Sequence, residues 1–269
     1  MNQSEKRLFL IRSLLKERPS CRRQEIPTDA ARQKVLLRAL MNVRRPGASG
    51  ADFLQVQDEY LQAEIAARGI TDLAGLTPVQ PGVYLWQGDI TTLRCDAIVN
   101  AANSGMTGCY VPNHRCIDNA IHTYAGVELR LACEKLMEQQ GYPEPVGCAK
   151  ITPAFNLPCS YILHTVGPVI SDRVSLHDCE ELASCYTSCL KLAAEKGLES
   201  VAFCCISTGE FHFPNELAAE IAVATVKEFL RGRSSVKKVI FNVFKDLDKN
   251  IYERLLCAAP AAENGTARL

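Results

Sequence analysis

A chain of 269 residues, 47% of them hydrophobic, is long enough to bury a full core as one large domain or one with a small partner. Thirty Lys and Arg balance thirty Asp and Glu, which excludes an electrostatic footprint for a nucleic-acid backbone or an anionic membrane, so an anionic ligand must be held by local devices. Glu5, Lys6, Arg7, Arg12, Lys16, Glu17 and Arg18 break up the first twenty residues, which argues against a secretory or membrane-spanning segment there. With an odd count of 13 cysteines, this predicts a cytoplasmic protein whose thiols pack or bind metal.

Up to about Thr77 the pattern is helical: Leu8, Ile11 and Leu15, then Leu36, Leu40 and Val43, then Phe53, Val56, Tyr60 and Leu61 recur at helix-face spacing. Pro27-Thr28-Asp29 and Pro46-Gly47-Ala48-Ser49-Gly50 separate these helices, and Pro78-Val79-Gln80-Pro81-Gly82 forms a joint to the rest of the chain. Beyond it, short β-branched and aromatic runs alternate with longer amphipathic stretches, the α/β pattern. Strands are predicted over 83–86, 97–100, 149–152, 161–165, 201–206 and 239–244, and helices over 117–140, 179–196, 215–230 and 249–257. The expected division is an α-helical N-terminal extension over 1–80, an α/β unit over 81–258 and a tail over 259–269. A mostly parallel sheet covered on both faces binds ligands beyond the carboxyl ends of its strands. Neither G-x-G-x-x-G nor G-x-x-x-x-G-K-[ST] occurs, which removes the main signal for dinucleotide dehydrogenases and P-loop NTPases.

Cys109, His114 and Cys116 form a short C-x4-H-x-C cluster in a polar turn bent by Pro112 and Asn113. Three soft ligands in one loop point to Zn2+, and a three-ligand zinc keeps a position for water or substrate; the bland alternative is a pair of free thiols. Cys133, Cys148, Cys185, Cys189, Cys204 and Cys205 lie in apolar stretches and read as packing residues. Three loops come directly after predicted strands: Gly88-Asp89-Ile90-Thr91, Asn100-Ala101-Ala102-Asn103-Ser104-Gly105, and Ser207-Thr208-Gly209-Glu210-Phe211-His212-Phe213-Pro214. In the third, small residues lead from a buried strand into a helix, so successive backbone N–H groups can converge on an anion such as a diphosphate. Asp89 suits an exocyclic amine such as that of adenine.

Together these segments resemble the macrodomain family, the ADP-ribose-binding module with G-D-I-T and N-A-A-N motifs. His164-Thr165-Val166-Gly167-Pro168 and residues 207–214 extend the likeness, which covers about 82–256. The implied fold is a three-layer α/β/α sandwich with a mixed, mostly parallel sheet, preceded by the small helical extension. Where most members carry a glycine-rich first loop, residues 106–116 stand here. That departure is similar to the zinc-dependent macrodomain subgroup of microbial pathogens, which also has a helical N-terminal extension. The resemblance implies a hydrolase that removes mono-ADP-ribose from acidic side chains of modified proteins, with a lipoyl carrier protein among the partners. It also implies residue roles: Asp89 meets the adenine amine and the Ile90 N–H a ring nitrogen, and Phe244 stacks on that ring. Ser207, Thr208, Gly209, Glu210 and Phe211 line the diphosphate of ADP-ribose, mainly through backbone N–H groups. Asn103 bonds the distal ribose, beside zinc on Cys109, His114 and Cys116, with Asp118 as base or water-positioner. Zinc either activates water or grips a substrate oxygen.

Several residues keep a second reading. Asp118 also reads as a helix N-terminal carboxylate, His122 as an orienting partner of Asp118 or a zinc ligand, His164 as a bonded core histidine and His177 as surface. His212 stands where many macrodomains have Gly, which narrows the site over the distal ribose. The rival functions are a non-catalytic reader of ADP-ribosylated protein with a structural zinc, and a closed structural zinc protein whose fourth ligand is His122 or Asp118.

Overall fold

The computed structural model describes residues 1–18 and 25–257; the tail predicted over 259–269 lies outside the described residues. Three helices come first: α1 (Gln3–Lys16), α2 (Ala30–Val43) and α3 (Ala51–Ala67). Asn2 and Glu5 form a capping box on α1, and the Asp29 carboxylate caps α2 by accepting the Arg32 N–H at 2.8 Å. Leu10, Ile11, Leu14, Leu15, Leu36, Leu40, Phe53, Tyr60 and Leu61 close a core of their own, as their spacing predicts. Val127 belongs to that same core, and Tyr124 packs against both it and the main one.

The remaining elements are β1 (Thr71–Asp72), β2 (Val83–Gln87), β3 (Leu93–Arg94), β4 (Ala97–Ala101), α4 (Ile117–Ala125), α5 (Val127–Gln140), β5 (Ala149–Pro153), β6 (Tyr161–Thr165), α6 (Leu176–Glu195), β7 (Ser200–Phe203), α7 (Asn215–Arg231), β8 (Lys238–Val243) and α8 (Asp246–Cys257). Six strands make one sheet in the order β2-β8-β7-β4-β6-β5, parallel throughout except for β5 at the edge, while β1 and β3 pair separately. Helices α6, α7 and α8 pack side by side, and α4 and α5 pack on each other and toward α2 and α3, giving the two helical layers of the predicted sandwich. Ile98, Val99, Leu163, Val201, Ala202, Val239 and Ile240 are fully buried between them, as strands covered on both faces require. Because β2, β4, β6, β7 and β8 run the same way, the chain leaves all five at one edge of the sheet, where the loops of interest gather. No described helix is long and apolar enough to cross a membrane.

Five expectations are corrected. The predicted 117–140 helix is two helices, because Gly126 takes φ 102°, ψ 174°, a conformation closed to other residues. A Cβ there would fall 2.7 Å from the Gln57 Nε2 of α3, and Gln57 Oε1 accepts the Val127 N–H at 2.9 Å. The break thus lets the extension dock. Gly126→Ala is expected to destabilise the fold by about 1–3 kcal/mol, several degrees in Tm by calorimetry; an unchanged Tm would contradict this account. Strand β7 stops at Phe203 rather than 206, since the chain must bend toward a left-handed Ser207 (φ 64°). Helices α6 and α8 begin at Leu176 and Asp246, each three residues before the predicted start. Cys148 is exposed ahead of β5, whereas Cys133, Cys185, Cys189 and Cys204 are buried as packing residues.

Candidate active site

Strand β2 delivers Gly88 to Thr91. Gly88 is needed because a Cβ would lie 2.4 Å from the Trp86 ring. Asp89 caps a short 3-10 turn, its Oδ1 accepting the Thr91 N–H at 3.0 Å and Thr91 Oγ1 at 2.6 Å. Its Oδ2 accepts from Arg68 Nη1 at 2.5 Å, and the Arg68 guanidinium lies 3.7 Å over the Tyr124 ring. An arginine from the end of α3 therefore holds the carboxylate expected at the adenine amine. The Ile90 N–H donates to no group among the described residues, and Phe244, just past β8, is 75% exposed. Phe244 is thus open to solvent, while Ile90 itself is buried.

Strand β4 delivers Asn100 and Asn103. Asn103 Nδ2 donates to Asp118 Oδ2 at 3.2 Å and to the Gly108 carbonyl at 3.2 Å, and its Oδ1 accepts the Gly105 N–H at 3.0 Å. Asn100 Nδ2 donates to Asp118 Oδ1 at 2.8 Å. Asp118 stands in the first turn of α4, yet its carboxylate is buried and bonded by two asparagine amides, and the helix is capped instead by Cys116 Sγ, which accepts the Asn119 N–H at 3.4 Å. Burial raises the Asp118 carboxyl to about 6, against the downward pull of Asn100, Arg130 and Asn103.

Behind Asp118 lies a polar core. His122 Nε2 is 3.5 Å from Asp118 Oδ1, and His164, in the interior of β6, meets Asn100 Nδ2 at 3.1 Å through Nδ1 and Thr152 Oγ1 at 2.9 Å through Nε2. Burial lowers His164 to about 3 and depresses His122 as well, so both rings are neutral. His122, Cys133 and His164 lie close enough to hold an ion, but both His164 nitrogens are engaged by Asn100 and Thr152. His164 is thus the bonded core histidine expected, whereas both ring nitrogens of the buried His122 lack a hydrogen-bond partner among the described residues. His177 is exposed, as predicted.

The 109–116 loop brings Cys109, His114 and Cys116 together, with ligand atoms all within 4.8 Å of one another and Cys109 Sγ 3.4 Å from His114 Nδ1. A tetrahedral ion with the usual metal–sulfur and metal–nitrogen bonds sets its ligands about 3.5–3.8 Å apart. The three side chains thus fit a metal ion. His114 Nε2 faces the Glu210 carboxylate at 3.5 Å, the arrangement in which a carboxylate fixes the orientation of a ligating imidazole. Gly108 (φ 86°) permits the loop to lie on His122, where a Cβ would fall 2.7 Å from the ring.

Strand β7 delivers residues 207–214. Among the described residues, the N–H groups of Ser207, Gly209, Glu210 and Phe211 find no acceptor in the protein, a row of free donors in the loop ahead of α7. Thr208 N–H makes only a long 3.5 Å bond to the Cys205 carbonyl. His212 is exposed at φ 57°. Of the five non-glycine residues with positive φ among the described residues, Met106, Asn113, Ser207 and His212 belong to these loops, and such strained backbone collects where a site needs it.

A mostly parallel sheet between two helical layers gathers a carboxylate, a row of free N–H groups and a buried Asn–Asp pair at one edge, which defines a three-layer α/β/α sandwich. The chain belongs to the Macro domain family, which matches residues 99–222. It is 57% identical over 260 residues to a protein-ADP-ribose hydrolase of Treponema medium, covering 95% of this chain and 100% of that one. It is 48% identical to a protein-ADP-ribose hydrolase of Staphylococcus aureus (strain MRSA252), over 91% of this chain and 92% of that one. The Trypanosoma brucei macrodomain solved in complex with ADP-ribose superposes with a TM-score of 0.63 at 27% identity, over 86% of this chain and 97% of that one.

Proposed function

We propose that the protein is a protein-ADP-ribose hydrolase that cuts mono-ADP-ribose from acidic side chains with the help of zinc. The observation that carries this reading is the knot around Asn103: one amide bonds the buried Asp118 and the Gly108 carbonyl, so the general-base candidate and the three-ligand loop are tied to one side chain. The names of the Treponema and Staphylococcus relatives support the hydrolase class. Asp89, the Ile90 N–H and Phe244 hold adenine, and the free N–H groups of 207–211 take the diphosphate charge, which a chain of zero net charge needs. That anchors the distal ribose toward Asn103.

Cys109, His114 and Cys116 would hold the zinc, which when bound supplies a Lewis acid for an oxygen of the ribose or the ester. Asp118 positions a water and takes its proton; the water oxygen bonds to the ester carbonyl carbon, the bond from that carbon to the ribose oxygen breaks, and Asp118 returns the proton to that ribose oxygen, leaving free ADP-ribose and the side-chain carboxylic acid. Asn100 and Asn103 hold the carboxylate in place for this step.

Gly167 tests the diphosphate assignment. Its missing Cβ would lie 2.1 Å from Ser207 Oγ and 2.8 Å from Ile206, so Gly167→Ala must push the 207–214 loop outward. ADP-ribose affinity should fall about tenfold or more, roughly 1.4 kcal/mol, by calorimetry; unchanged affinity would count against the cradle. The function itself is tested by mass spectrometry of a protein mono-ADP-ribosylated on an acidic residue, before and after incubation with the zinc-loaded chain and again with chelator. Loss of one ADP-ribose mass, blocked by chelator, is the expected result, and an undiminished mass would make the protein a reader.

A further inference from the structure

The 109–116 loop is held by the helical extension as much as by the sheet. Arg38 and Asn42 lie four residues apart on one face of α2, and both reach it. Arg38 Nη2 donates to the His114 carbonyl at 3.0 Å and to Asn119 Oδ1 at 2.9 Å, with Nε 3.3 Å from the same oxygen. Asn119 in turn donates to the Val111 carbonyl at 3.0 Å. Buried Asn42 accepts the N–H of Asn113 at 2.9 Å, at the residue where the loop turns through φ 55°, and donates to Thr123 Oγ1 at 2.9 Å.

The C-terminal end of α2 is joined to the loop a third time. Arg130 of α5 donates through Nη1 to the carbonyls of Asn42 (2.7 Å) and Arg44 (2.5 Å), through Nη2 to the Cys109 carbonyl at 3.4 Å, and lies 4.2 Å over the Tyr110 ring. A cation at the carbonyl end of a helix is favoured there. Within eight residues the loop is thus pinned at Cys109, Asn113 and His114, and two of these are metal-ligand candidates. A loop with a strained turn does not hold three ligands at bonding distance by its own preference, since ordering each residue costs about 1–2 kcal/mol. The fixed points supplied by α2 meet that cost before any ion arrives.

We propose that α2 is the scaffold of the metal loop and that Arg38 and Asn42 are positioning residues for its ligands; this rests on the reading of the loop as a zinc site. The probe is Zn2+ itself, measured by competition with a chelating dye on the full chain. Arg38→Ala and Asn42→Ala should each weaken zinc binding about tenfold or more, the scale on which orienting partners act. Arg38→Lys, which keeps a donor for the His114 carbonyl, should retain more affinity than Arg38→Ala. Wild-type zinc affinity in alanine variants that keep their far-UV circular dichroism would overturn the proposal and leave the zinc site standing. A parent chain that binds no Zn2+ would overturn both. If the variants fail to fold, hydrogen exchange on the parent chain decides: coupling is reciprocal, so zinc should slow exchange in α2 as well as in 108–116. Protection confined to the loop would overturn the scaffold.

Discussion

Cys116→Ala is expected to strip the protein of zinc and cut release of ADP-ribose from a modified substrate about a thousandfold, with ADP-ribose affinity nearly intact. The magnitude comes from a Lewis acid contributing several kcal/mol, on the order of 4, at about 1.4 kcal/mol per tenfold in rate. Alanine has a second effect, because Cys116 Sγ also caps α4 through the Asn119 N–H. Losing a cap costs about 0.5–2 kcal/mol of stability. Cys116→Ser separates the two: its hydroxyl caps a helix well but is a poor replacement for a thiolate on zinc. Serine should therefore lose the metal but match the Tm of the zinc-free parent, while alanine falls below that Tm as well. Zinc by mass spectrometry, turnover and calorimetry on the pair decide it, and a zinc-free variant with full turnover would remove the metal from the mechanism.

Asn103→Ala should slow turnover roughly tenfold to a hundredfold while changing the ADP-ribose Kd about threefold or less. The side chain spends its amide on Asp118 and the Gly108 carbonyl, and a hydrogen bond to a charged partner contributes about 1.5–3 kcal/mol. Its removal frees one oxygen of a buried carboxylate and loosens the start of the 109–116 loop, both at the reacting end. The contacts proposed for adenine and diphosphate are untouched, so binding should survive. Calorimetry beside single-turnover kinetics reads the two quantities separately. Lost affinity with an intact rate constant would assign Asn103 to binding instead.

Much of this arrangement is legible in the residues. The shift from a helical period to short β-branched runs after Pro81 marks where the sheet begins, and all six principal strands fall within three residues of their predicted limits. The compact C-x4-H-x-C spacing brings Cys109, His114 and Cys116 together as read. A lone glycine is compatible with a continuous helix, so the break at Gly126 becomes legible only with Gln57 packed against it. The roles of Arg38, Asn42, Arg68 and Arg130 are hidden for a related reason. Each acts on a partner 21 to 88 positions away, and a polar residue on a helix looks the same whether it meets solvent or a distant carbonyl. Glu210 reads in the sequence as a backbone donor, whereas its carboxylate turns toward His114. Periodicity reports which face is apolar, and carries no record of which polar tip reaches across to another element.

Arg68 grips Asp89 in the loop after β2, and Arg38 grips the His114 carbonyl in the 109–116 loop. Their helices, α3 and α2, are braced together by α1, so these three helices work as a calliper. Loops leaving separate strands would otherwise drift independently; sharing one rigid gauge, they keep a constant span between Asp89 and the 109–116 loop.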